Sequence, residues 1–277
     1  MRLYLLAILT VILTSCGVSR VQSDSFPISH QLFDSLLQKH VTEAGWVDYQ
    51  GIQRDSVQFN QYLQLLQDNH PNKKNWSPDE QLAYWINAYN AFTIDLILQH
   101  YPVKSIKDIK DGTAFINSVW DIKFITIEGE EYDLNNIEHG IIRKRYDEPR
   151  IHFAVNCASY SCPRLRNEAY VAERLDQQLE EQARIFFNDP RKNNIERPDK
   201  ISISPLLSWY SPDFTDKGFL SRFFGKKKRL QKLAAYADQY VDIDVNKKPT
   251  VEFMEYRWDL NDTALQTEDA ADVAAGK

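Results

Sequence analysis

Residues 77–100 read S-P-D-E-Q-L-A-Y-W-I-N-A-Y-N-A-F-T-I-D-L-I-L-Q-H, and this stretch decides what kind of molecule the chain makes. Ser77 is an acceptor suited to capping orphan N–H groups, Pro78 has its φ preset for a first helical position, and Asp79 and Glu80 put negative charge where the helix dipole is positive. The pattern predicts a helix running to about His100. Its apolar side chains, among them Leu82, Trp85, Ile86, Tyr89, Phe92, Leu96 and Ile97, go almost all the way round. A helix without a wide polar face has to be buried on every side, so the rest of the chain is expected to wrap it.

Working outward, Ile28 to His40 and Ser56 to Leu66 repeat apolar residues at helical spacing, with Leu32, Phe33, Leu36 and Leu37 in the first and Phe59, Tyr62, Leu63 and Leu66 in the second. Leu134 to Arg145, opened by Asp133, and Glu168 to Phe187, capped by Asn167, also read as helices. Ile122 to Ile127, the turn Glu128-Gly129-Glu130 and Glu131 to Leu134 predict a hairpin. Further short strands are expected at Arg150 to Asn156, Ile201 to Ser204, Val241 to Val245 and Val251 to Tyr256, and a polar surface loop at Asn188 to Lys200. Asp213 reads as a turn residue after Pro212. The class is therefore α+β: a helix-rich single domain over Phe26 to Asn261 with a buried central helix and a small, mostly antiparallel sheet. Six Trp, 14 Tyr and 14 Phe give it core mass, and Trp46, Trp85, Trp120, Trp209 and Trp258 are all expected inside.

The formal charge of −6 speaks against nucleic acid as a partner, and the basic run Lys226 to Arg229 is too short to be more than a solvated face. At the amino end, Arg2, the apolar Leu3 to Leu13 and then Leu13-Thr14-Ser15-Cys16 resemble a bacterial lipoprotein signal and its lipobox. That resemblance implies cleavage before Cys16, residues 1–15 being the signal, and acyl chains such as palmitate on Cys16 that anchor the protein permanently. Gly17 after the cysteine points to the outer membrane of a bacterial envelope, facing the periplasm, with residues 16–25 as a lipidated tether. Residues 262–277, acidic and without aromatics, are expected to be a disordered tail.

Chemistry concentrates in R-I-H-F-A-V-N-C-A-S-Y-S-C-P-R-L, residues 150–165, which holds the two cysteines other than Cys16. Three readings stay open. Outside the cytoplasm Cys157 and Cys162 suit a disulfide, which needs their α-carbons within about 7 Å and contributes about 2 kcal/mol. As a nucleophile, Cys162 is preferred for its place before the Asn167-capped helix, with His139 beside Glu138, or His152, as base, and Asn87 or Asn90 to orient the imidazole. The donors His139, His152, Cys157 and Cys162 suit zinc in type, but their spacing fits no compact zinc module, so no metal and no cofactor is expected. The residues 152–162 are expected beside the central helix, lining a cleft with His139.

Six blocks carry a wider likeness: G-W-V-D-Y at 45–49, Y-W-I-N-A-Y-N-A-F at 84–92, Y-D-L-N-N-I-E-H at 132–139, C-A-S-Y-S-C-P-R-L at 157–165, S-W-Y-S-P-D-F at 208–214 and Y-R-W-D-L-N at 256–261. With them the chain resembles the family catalogued as domain of unknown function five-four-seven. The resemblance implies one compact domain, found in bacteria and eukaryotes, and carries no established activity. Two function classes follow. The first is an envelope lipoprotein with a non-catalytic binding or scaffold role toward an envelope protein or small molecule. The second is a thiol- and histidine-dependent hydrolase or transferase acting on a peptide-like or amide substrate.

Overall fold

The structure, a computed structural model, describes residues 23–110, 118–215 and 225–266. Cys16 and the signal-like segment lie outside these, as does most of the acidic tail.

The central helix forms as its sequence dictates. Helix α4 (Pro78–His100) follows three shorter helices, α1 (Gln31–His40), α2 (Tyr49–Arg54) and α3 (Ser56–Gln67). At its start the Ser77 hydroxyl accepts from Glu80 N at 3.2 Å and Glu80 Oε2 accepts from Ser77 N at 2.6 Å, a reciprocal capping box. Nearly its whole surface is buried, from Leu82 to Ile97. Phe33 of α1 stacks on Tyr62 of α3 at 4.8 Å, and the Tyr84 hydroxyl donates to Leu66 O at 2.6 Å, so α1 and α3 close over one side of α4.

Beside α3 lies the expected hairpin, β1 (Ile125–Ile127) and β2 (Glu130–Tyr132), whose Ile125 pairs with Tyr132 and whose Glu128 N donates to Gln67 O at the end of α3. Its two turn residues, Glu128 at φ 45° and Gly129 at φ 80°, are both left-handed, the geometry that matches strand twist in a two-residue turn. Glu128 tolerates this because its carboxylate takes Ser23 Oγ at 2.8 Å and His70 N at 3.0 Å. The body thus begins at least at Ser23, inside the segment read as tether. It also continues past Asn261: Asp262 is buried, caps a short turn at Thr263–Leu265 and accepts from the Tyr101 hydroxyl at 2.6 Å, which corrects the start of the expected tail.

After the hairpin the chain departs from an ordinary helix. Asn136–Ile142 is wound as a π-helix, running into the short α5 (Arg143–Arg145). Glu138 is buried by this winding and His139 stays exposed.

The strand expected over Arg150 to Asn156 is instead a 3-10 turn, Pro149–Phe153. Every residue from Ile151 to Asn156 is buried, so there is no solvent face to alternate with, and the backbone is held by side chains rather than a neighbouring strand. Similarly, the helix expected from Glu168 starts only at Leu175, as α6 (Leu175–Asn188), and Asn167 caps nothing. Residues 169–171 stay extended because Asp34, Asn87 and Gln178 accept their N–H groups at 3.0, 2.9 and 3.0 Å.

A second apolar cluster forms around Phe153, Phe186, Phe187, Ile203, Leu207 and Leu233. It joins α6 to α7 (Pro205–Trp209), α8 (Ser211–Phe214), α9 (Lys226–Ala237) and a three-stranded sheet. In that sheet β4 (Lys200–Ile203) lies between β3 (Asn194–Arg197), antiparallel, and β5 (Thr250–Phe253), parallel. The polar loop of the sequence reading therefore contains β3. Val241 to Val245 is bent rather than a strand, Val245 N donating to Asp238 Oδ1 at 2.7 Å. The molecule is α+β and helix-rich, with a buried central helix and two small sheets. No helix among the described residues is long and apolar enough to cross a membrane.

Candidate functional site

Residues 149–157 run along the seam of the two apolar clusters, Ile151, Ala154 and Val155 facing the first and Phe153 the second. Where the seam opens there is a cleft of about 180 Å³ reached by His139, His152, Cys157 and Cys162 together.

The thiol loop hangs on α4. Asn90 Nδ2 donates to Ala154 O at 3.0 Å and Asn90 Oδ1 accepts from Asn156 N at 2.8 Å. Asn87 does the same for Tyr170, at 2.8 and 2.9 Å. Both amides are thus spent on backbone, which corrects the expectation that either orients an imidazole. Beyond Asn156 the loop turns through Ala158 at φ 59°, a left-handed conformation held by Asn156 Oδ1 on Ala158 N at 2.9 Å. The carboxy-terminal segment closes the loop from outside: Tyr160 N donates to Asp259 O at 2.7 Å, Asn261 N to Ala158 O at 3.1 Å and Arg257 N to Ser161 Oγ at 2.9 Å. Asn261 Oδ1 accepts from the Tyr49 hydroxyl at 2.7 Å, so three of the quoted blocks meet here. Gly45, at φ 84°, lies so close that a Cβ on it would come within 2.4 Å of Arg164 Cβ.

Both thiols are free, so the Cys157–Cys162 disulfide entertained from the sequence is not formed. The sulfurs are inequivalent. Cys162 is buried, its Sγ accepts from Cys157 N at 3.0 Å, and burial pushes its thiol well up. Cys157 is half-buried at the cleft, with Ser159 Oγ at 3.2 Å and the Tyr256 hydroxyl at 3.5 Å from its sulfur. Its thiol is brought down to about 7, chiefly by the hydrogen bond with Cys162 and then by Ser159 and Tyr256, against the opposing effect of burial. Cys157, not Cys162, is therefore the reactive candidate. The helix end invoked for Cys162 is absent, since α6 begins at Leu175.

His152 is buried, stacks on Tyr210 at 4.0 Å, and bonds through Nε2 to Asp213 Oδ2 at 2.8 Å. Burial pulls its pKa down despite Asp213, so the neutral ring donates from Nε2 and keeps a lone pair on Nδ1, which is buried and has no partner among the described residues. Asp213 also accepts from Arg143 Nε at 2.7 Å. Burial alone would raise its carboxyl, but the bonds from His152 and Arg143, with the arginine charge, hold it well below the usual carboxylate range. His139 is tied instead to Arg143, whose Nη1 donates to its Nδ1 at 3.0 Å. Burial and the neighbouring Glu138 carboxylate push the Tyr210 hydroxyl up, and Glu138 Oε1 lies 3.8 Å from His139 Nδ1.

Asp213, Tyr210 and Tyr256 are the residues that reading the sequence missed. Their signal was the unusual S-W-Y-S-P-D-F and Y-R-W-D-L-N blocks, whose polar members had no helical or strand pattern to serve. Of the tryptophans, Trp46 and Trp85 are buried as expected, whereas Trp209 is 51 % exposed and Trp120 and Trp258 are half-buried at the cleft. Among the described residues no group of three or more His, Cys, Asp or Glu side chains could hold a metal ion.

No curated protein and no solved structure matches the chain. Residues 73–187, which hold α4, the hairpin, the π-helix and the thiol loop, match the model of the family described as Protein of unknown function, DUF547, and over that span the chain resembles that family.

Proposed function

We propose that the cleft performs thiol-dependent acyl transfer, as a hydrolase or transferase on a peptide-like or amide substrate, with Cys157 as nucleophile, His152 as base and Asp213 as the carboxylate that orients it. The observation that carries this reading is that a half-buried thiol and a neutral imidazole, its Nδ1 without a partner among the described residues and its other nitrogen fixed by a carboxylate, border the same cleft. Cys157 Sγ would attack the acyl carbon, and the leaving amine would depart with the proton that His152 took from the thiol. Water or a second nucleophile would then give its proton to His152, break the thioester and restore the thiol. We further propose that the body is carried on the periplasmic side of a bacterial outer membrane by acylated Cys16, a reading supported by the lipobox-like Leu13 to Cys16.

A binding role without chemistry is the second reading. It is favoured by one observation: the hydrogen bonds of the Cys157 sulfur go to Ser159 and Tyr256, and not to an imidazole. An activated acyl ester such as p-nitrophenyl acetate separates the two. The enzyme reading expects one acetyl group on Cys157 by intact and peptide mass, formed rapidly and then turned over, with acylation slowed at least about a hundredfold in His152→Ala. Acetylation of Cys157 no faster than that of a free thiol, and unchanged by His152→Ala, would leave the binding reading.

A further inference from the structure

Glu138 poses a problem that the thiol chemistry does not use. Its carboxylate is buried in the π-helix at the cleft, and among the described residues no lysine or arginine forms an ion pair with it. Its ion-pair partner among the described residues is His139, whose Nδ1 lies 3.8 Å away and is taken up by Arg143, and a buried carboxylate so weakly paired is costly unless something supplies a compensating charge. Four aromatic rings stand at the same opening. Trp209 and Trp258 stack at 6.0 Å, Tyr256 lies 4.8 Å from Trp209 and 4.6 Å from Trp258, and Trp120 meets Trp258 edge-on at 5.7 Å. Trp209 keeps half its surface in solvent, an unusual expense for so large an apolar ring. Ring faces here already attract cations, Lys107 Nζ lying 4.6 Å from the Trp258 centroid and the Arg143 guanidinium 4.9 Å from that of Tyr210. Arg143 is committed to Asp213, and Lys107 is exposed at the rim, so neither neutralises Glu138.

We propose that this cleft recognises a cationic amine on its substrate, an ammonium group seated among Trp120, Trp209, Tyr256 and Trp258 with the Glu138 carboxylate as counter-charge. This rests on the cleft being the substrate site. A cation of this kind gains from ring quadrupoles and from the carboxylate together, and the cleft volume suits a small head group rather than a folded partner.

The test is calorimetric titration of the purified full chain with choline and with its neutral isostere 3,3-dimethylbutan-1-ol. Choline should bind at least about tenfold more tightly than the alcohol, since the shapes match and only the charge differs. Glu138→Gln and Trp209→Ala should each weaken choline severalfold and bring the two ligands together. Trp209 is exposed, so its variant keeps the comparison available if Glu138→Gln does not fold. Cys157→Ser should bind choline as the wild type does, which separates recognition from thiol chemistry. Equal binding of alcohol and choline, or no binding of either at millimolar concentration, would overturn the inference while leaving acylation of Cys157 to be judged by itself.

Discussion

Helix α4 and the thiol segment at 149–162 are both buried, both apolar and packed on one another, yet they owe their shapes to different physics. The helix is specified within itself: its cap, its first-turn acids and its hydrogen bonds are all drawn from residues 77–100. The thiol segment has almost no repeating backbone bonds of its own. It is held by Asn90 from one side, by Asn156 internally, and by residues 257–261 from the other. A locally specified element can carry core, whereas a segment whose conformation is imposed from outside can hold Cys157 and His152 in geometries that no regular element offers.

Substitutions should separate the two regions. The largest effect is expected on the helix itself, where Trp85→Ala empties a fully buried site and costs about 3–5 kcal/mol, read by urea unfolding. Asn90→Ala should follow. It leaves Ala154 O and Asn156 N buried without partners, at about 2–4 kcal/mol for the pair. Unlike Trp85→Ala, it should also free the loop, so that both cysteines alkylate at similar rates. If Asn90→Ala melts like the wild type, the loop is not hung on α4 as described.

Ser77→Ala tests local specification by removing half of the capping box. It should cost about 1 kcal/mol and leave the cysteine reactivities untouched. A smaller effect lies in pH. Asp213 has a depressed folded pKa, so its contribution to stability is complete above the unfolded value of about 3.9 and is lost as pH falls through its lower folded value. His152, buried neutral, makes folding harder as pH falls below its unfolded value of about 6.5. Asp213→Asn should flatten the limb below about pH 4 while the decline beginning near pH 6.5 persists, checked by unfolding at stepped pH.

The contrast also explains what could be read in advance. The boundaries of α3 and α4 and the place of the hairpin turn are set by spacing, caps and turn residues, and these were legible in the residues themselves, whereas the hairpin's arms are shorter than expected. The strand expected at Arg150 to Asn156 and the helix expected at Glu168 failed for one reason: distant amides and carboxylates claim those backbone groups. The gathering of His139, His152 and the cysteines could be anticipated from position beside α4. The choice between the sulfurs could not, because it depends on Ser159, Tyr256 and a 3.0 Å contact from Cys157 N to Cys162 Sγ across a loop with a left-handed residue. Asp213 was hidden for the same reason, since 61 positions separate it from the imidazole it orients.

The measurement closest to the central claim is pulsed iodoacetamide labelling of the folded chain from pH 5 to 9, with peptide mapping of each cysteine. Cys157 should label at lower pH than a free thiol does, with Cys162 protected until the protein unfolds. Equal labelling of the two, or labelling of Cys162 first, would contradict it.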